Sequence, residues 1–175
     1  MDTYSGTDYL NTEHLKHQIT NITVVAYRNQ DNRGDGKLSP TNHWSIFLKT
    51  TENNSVRVEM AHGLGNDGLT GKVELLSKKY ICTNNAIYTM SFQPIKTITV
   101  QDFIDLLTEN KRQQYTFTPE FEGCSFWVYT IIGDLEAAGV VPAGSAESTW
   151  NAVSYYYVNP EGTVPREVRR GTFRP

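Results

Sequence analysis

No run of apolar residues in this chain approaches the length of about twenty that a membrane-spanning helix requires. The first residues carry neither a basic segment nor an apolar one, so no secretory leader is expected. Cysteine is scarce: Cys82 and Cys124 are the only two among 175 residues, which excludes a disulfide framework. No paired cysteine and histidine array suggests zinc, and neither a metal nor a cofactor is expected. An excess of one charge is lacking too. The formal net charge of -3 implies no general affinity for nucleic acid or for acidic membranes. Basic residues gather only near the end, at Arg166, Arg169, Arg170 and Arg174, and read as a solvated tail. No repeat and no long linker divides the chain. These absences point to a cytoplasmic protein folded as one domain over residues 1–175, with a short N-terminal tail and a basic C-terminal one. The sequons at Asn21 and Asn53 carry no weight in that setting.

Aromatic residues are plentiful, with ten tyrosines, seven phenylalanines and three tryptophans, and suggest a strand-rich core or an aromatic-lined cleft. β-branched and alternating runs predict strands at 22–27, 43–49, 56–61, 72–81 and 87–92. The polar turn 51–55 makes the second and third an antiparallel hairpin. Glycine- and asparagine-rich loops are expected at 29–40 and 63–71. Thr99 with Asp102 forms a variant capping box, opening an amphipathic helix that runs to about Arg112. Residues 115–118 are short and extended. A second helix begins at Cys124 and stops at Gly139, burying Cys124, Val128, Ile131 and Leu135. A weak helix is read at 13–18 and another at 146–152. Strands come first and helices later, which argues an α+β fold with an antiparallel sheet packed against helices.

Two residues carry candidate chemistry. Cys124 opens a helix, where the dipole and unpaired backbone N–H groups favour a thiolate. His43 opens a strand about eighty residues upstream, and an imidazole near a thiol can take its proton. Considered alone, a helix-start cysteine on an apolar stripe is more often buried and inert than catalytic, and a strand histidine is often only structural. Three further features favour catalysis. Gly123 permits close approach to the sulfur, and the amides of Cys124 and Ser125 stand free to hold an oxyanion. Glu59 lies on the strand next to that of His43, at the parity of Arg57, where a carboxylate could orient the imidazole. An ordinary solvent-facing carboxylate is the equal alternative for Glu59.

The order of a histidine strand, a polar third member on the next strand and a cysteine on a late helix resembles that of the circularly permuted papain-like enzymes. Among them are the lecithin:retinol acyltransferase relatives of the NlpC/P60 peptidases. The segment from His43 to Leu48 is similar to that group's His-Trp-Ala-Ile-Tyr strand. The segment 56–60 falls where its next strand carries a second histidine, here Glu59. Residues 94–117 resemble the stretch before its nucleophile, and 123–128 match its Asn-Cys-Glu-His-Phe-Val helix in layout. The resemblance covers about residues 40–140. It departs from the family at Glu59, at Gly123 in place of asparagine, and in lacking the acyltransferases' membrane anchor. The whole chain also resembles a family of small fungal proteins with a Gly-Cys-x-Phe-Trp core and a closing Arg-Gly-Thr-Phe.

The resemblance implies a permuted papain-like fold in which Cys124 attacks a carbonyl, His43 is base and then acid, and Glu59 orients His43. Asn42, Tyr27, Ser125 and Trp44 are candidates for oxyanion or substrate binding, and His62 stands in reserve for Glu59. The expected partner is a small-molecule or peptide acyl substrate, with no membrane and no nucleic acid. Cys82 is read as a structural mid-strand residue. The expected reaction is hydrolysis or transfer of an amide, ester or thioester acyl group. A non-catalytic binding module on the same scaffold is the competing class, and an aminoacyl-transfer or amide-forming enzyme of fungal secondary metabolism a further one.

Other motifs fail on context. The glycine pattern at 63–68 matches a dinucleotide fingerprint but should be followed by a helix, and more loop follows. The calcium-like loop at 31–36 has arginine at its third position and asparagine where the bidentate glutamate belongs.

Overall fold

The computed structural model describes residues 10–28, 40–158 and 162–175. Its centre is an antiparallel sheet built from the β-branched runs of the first half: β1 (Asn21–Arg28), β2 (Asn42–Thr51), β3 (Asn54–Leu64), β4 (Thr70–Lys78) and β5 (Ala86–Phe92). Short strands β6 (Tyr115–Thr116) and β9 (Thr172–Phe173) extend one edge, giving the order β5-β1-β2-β3-β4-β6-β9. Two further strands, β7 (Tyr155–Tyr157) and β8 (Thr163–Pro165), form a separate ribbon. The α+β class with an antiparallel sheet is therefore as expected.

Register follows burial. Val24 pairs with Ile46, and Ile46 with Val58 on the other side, so the alternate apolar residues of three strands share one face. That face packs against α1 (Val100–Glu109) and α2 (Cys124–Ala137), through Phe103 and Leu107 and through Trp127, Val128, Ile131, Ile132 and Leu135. α3 (Ser145–Val153) adds Val153 to the same cluster. α1 starts at the anticipated capping box: the Thr99 hydroxyl accepts from the Asp102 amide at 3.1 Å, and the Asp102 carboxylate accepts from the Thr99 amide at 2.9 Å. Such a box contributes about 1 kcal/mol to a helix start. No helix among the described residues is long and apolar enough to cross a membrane.

Three expectations need correction. The fourth strand ends at Lys78 rather than Ile81, because its partner ladder runs out at Ser55, the second residue of β3. Cys82 consequently lies in the β4–β5 connection and not mid-strand. The C-terminal segment is not a solvated tail. β9 pairs with β6, the Arg170 guanidinium sits over the rings of Trp150 and Phe126 at 5.2 and 5.3 Å, and Arg166 is ion-paired to Glu122. The calcium-like loop lies outside the described residues. The glycine pattern at 63–68 is the turn between β3 and β4, with no helix after it.

Gly171 shows how closely the C-terminal segment is docked. A Cβ there would stand 2.4 Å from Cζ of Tyr115 and 2.6 Å from the Thr116 carbonyl. Gly171→Ala should therefore destabilise the fold by about 2 kcal/mol through overpacking against a fully buried tyrosine. A fall in the urea midpoint at unchanged slope checks this; an unchanged midpoint would mean the segment docks loosely.

Candidate active site

His43 is the second residue of β2 and stands directly across from Tyr27 of β1, their rings in edge contact at 4.9 Å. Strand alternation sends Trp44, the next residue, to the opposite face. There it is 2% exposed and packs edge-on to Tyr88 and Tyr157. Trp44 belongs to the core, and part of it also lines the cleft that holds Cys124.

Glu59 of β3 is not a surface carboxylate; it is 7% exposed and accepts from three sides. His43 Nε2 lies 2.8 Å from Oε2, the Tyr27 hydroxyl donates to the same oxygen at 3.0 Å, and Arg57 Nη2 donates to Oε1 at 3.0 Å. Burial alone would raise the Glu59 pKa, but the hydrogen bond and charge of His43, then Arg57 and Tyr27, outweigh it and hold it at about 2. Burial would likewise lower the His43 pKa. Hydrogen bonds to Cys124 and to Glu59, reinforced by their charges, reverse this and lift it to about 10. With Nε2 on Glu59, the ring nitrogen left for Cys124 is Nδ1.

Cys124 opens α2 and is only half-buried, in contrast to the sealed apolar residues further along that helix. Its Sγ lies 3.8 Å from the Asn42 carbonyl, which places it at the root of β2 beside His43. Cys124, His43 and Ser125 all line one cleft of about 380 Å³.

The helix start carries no side-chain cap. Its first amides, those of Cys124 and Ser125, have no partner within the helix and point toward a negative charge placed ahead of it. The peptide before Cys124 is held from behind. The Tyr115 hydroxyl donates to the Gly123 carbonyl at 2.7 Å and accepts from the Gly171 amide at 3.0 Å. Because a trans peptide sets C=O and N–H antiparallel, fixing that carbonyl also fixes where the Cys124 N–H points. Gly123 has φ +139, and a Cβ on it would meet the Tyr115 hydroxyl at 2.8 Å. The glycine thus makes room for Tyr115.

Two other candidates are bonded within the fold. The Asn42 side chain is 2% exposed and bonded to β7: Nδ2 donates to the Tyr157 carbonyl at 3.0 Å, and Oδ1 accepts from the Tyr157 amide at 2.9 Å. Its oxygen and one of its two N–H groups are thus committed to that strand. The Tyr27 hydroxyl is likewise directed at Glu59, and burial followed by the Glu59 charge raises its pKa. His62 is exposed and meets Phe117 edge-on and Phe121 at a tilt rather than joining His43. The parity shared by Arg57 and Glu59 was the one sequence signal for Arg57. Nothing local marked Tyr115, Phe121 or the Glu122–Arg166 pair.

Among the described residues, no group of three or more histidine, cysteine or acidic side chains is placed to hold a metal ion. The family described as Domain of unknown function (DUF7770) matches residues 22–174. The chain belongs to the DUF7770 family. No curated protein and no solved structure matches it. The DUF7770 match spans every residue of the cluster, from Tyr27 through Glu59 and Cys124 to the docked Gly171.

Proposed function

We propose that this DUF7770 protein is a thiol-dependent acyl-enzyme catalyst that hydrolyses or transfers an amide, ester or thioester acyl group. The observation that carries the reading is an imidazole 2.8 Å from a buried carboxylate, sharing one cleft at the mouth of a helix with a half-buried thiol. The order of the three residues along the chain, and a cysteine helix packed on an antiparallel sheet, support a permuted papain-like scaffold.

The chemistry follows from the positions. The Cys124 thiolate adds to the substrate carbonyl carbon, and the displaced electron pair settles on oxygen, where the Cys124 N–H donates to it. As the oxyanion collapses, the bond to the leaving group breaks and His43 Nδ1 gives that group its proton. Water or an acceptor then attacks the thioester, returns a proton to His43 and frees the thiolate. Throughout, Glu59 fixes the ring through Nε2, as Arg57 and Tyr27 fix Glu59.

Brief exposure to an activated thioester, followed by peptide mass analysis, tests the reading. An acyl adduct on Cys124 that decays with time is the expected result. No adduct, or one confined to Cys82, would overturn it in favour of a binding module.

A further inference from the structure

Phe121 lies three residues before Cys124 and combines two features that disfavour folding. Its backbone has φ +61, one of two positive values among non-glycine residues described, and its side chain is 47% exposed. A left-handed conformation at a bulky residue is strained and persists only where its surroundings fix it. A ring left half in water also forgoes part of what full burial of a large apolar side chain contributes. The conformation is fixed by a closed turn. The Phe121 amide donates to the Thr118 carbonyl at 2.9 Å, the Thr118 amide to the Glu122 carbonyl at 3.0 Å, and the Glu122 amide to the Thr118 hydroxyl at 3.1 Å.

That turn holds the ring in the wall of the Cys124 cleft. The His62 ring stands 5.3 Å from it, and Phe117 stands edge-on to His62 at 5.4 Å, so three rings from two segments form a continuous shelf. Tyr155, 42% exposed, lines the same cleft. The two ionic groups in the wall nearest this turn, Glu122 and Arg166, neutralise each other in an ion pair. A cleft of about 380 Å³ has room for a ring and the carbonyl beside it.

The geometry points to a specificity subsite: the His62–Phe117–Phe121 shelf receives a neutral aryl group carried by the substrate next to the carbonyl that Cys124 attacks. This rests on Cys124 being the nucleophile. A ligand ring laid on the shelf covers the exposed face of Phe121 and gains the stacking that the strained turn presents. A charged group there would lose hydration, and the ion pair beside the shelf, Glu122 with Arg166, is already engaged with itself.

Alkylation of Cys124 by N-benzyl- and by N-methyl-2-chloroacetamide tests the subsite, with free cysteine as reference for intrinsic reactivity. The native protein should prefer the benzyl reagent by about tenfold or more beyond the free-cysteine ratio. Phe121→Gly, which accommodates φ +61 and so keeps the turn, should bring the ratio to within about twofold of free cysteine. A native ratio equal to that of free cysteine overturns the subsite, as does a preference that survives Phe121→Gly. Failure of the catalytic reading gives a different result: the methyl reagent would then label native and His43→Ala proteins at the same rate.

Discussion

His43→Ala should slow alkylation of Cys124 at pH 6.5 by about 10²- to 10³-fold. The thiolate is the reactive form, and on the proposed mechanism His43 is the group that takes the proton of the thiol. The imidazole keeps its proton up to about 10, because its bonds to Cys124 and Glu59 outweigh the penalty of burial. Alanine removes the cation and the proton acceptor together and leaves only the helix start. The pH dependence carries a definite sign. A raised pKa means that the contribution of charged His43 is complete below the ordinary histidine value of 6.5 and is lost as pH rises through about 10. The ratio of native to variant rates should therefore be largest near pH 6 and shrink toward one above pH 10. Cys82, whose pKa burial raises and which lies in the β4–β5 connection, serves as an internal control in both proteins. Equal rates for native and variant at pH 6.5 would show that the imidazole does not act on the sulfur.

Elements specified locally could be read directly. The β-branched runs of β1 to β3, the Thr99–Asp102 box and the helix opened by Cys124 each depend on neighbours a few residues away, so periodicity and capping chemistry suffice. The pairing of Glu59 with His43 was half legible. Adjacent strands and the parity shared with Arg57 placed the carboxylate correctly, but burial had to decide whether it faced solvent or the imidazole. Trp44 takes the other face of β2 from His43, since neighbours on a strand point to opposite faces, and so joins the core while still lining the cleft. What stayed hidden is set by distant partners. Asn42 and Tyr157 are 115 residues apart, Arg166 and Glu122 are 44, and Gly171 and Tyr115 are 56. β9 is two residues long and exists only because Tyr115 and Thr116 offer it an edge. No pattern within such a segment encodes its partner.

Those same long-range contacts explain why the docked C-terminal segment and the site belong to one construction. Gly171 holds the Tyr115 hydroxyl, which holds the Gly123 carbonyl, and the peptide so fixed carries the Cys124 N–H that the proposed mechanism assigns to the oxyanion. The buried carboxylate performs the corresponding task for the imidazole.

Glu59→Gln is consequently the most damaging conservative change available. All three neighbours of the carboxylate present donors: His43 Nε2, the Tyr27 hydroxyl and Arg57 Nη2. A carboxamide has one accepting oxygen, so its NH₂ must face one of those donors, and Arg57 loses its counter-charge. The expected cost is on the order of 3 kcal/mol of stability near neutral pH. Turnover should fall by about 10²- to 10⁴-fold, because the ring is no longer held in one tautomer and its protonated form is no longer favoured. A depressed carboxylate pKa fixes the sign. Its stabilisation is complete above the ordinary value of 4.5 and is lost as pH falls through about 2. Unfolding free energies from urea titrations should thus differ by a constant amount between pH 5 and 6.5, and the gap should close as the acid limit is approached. Asp at position 59 would keep the charge but retract it by one methylene, restoring much of the stability and little of the turnover. A variant at position 59 that is as active as native, or a stability gap indifferent to acid, would remove the carboxylate from the mechanism and leave Arg57 as its sole reason for being buried.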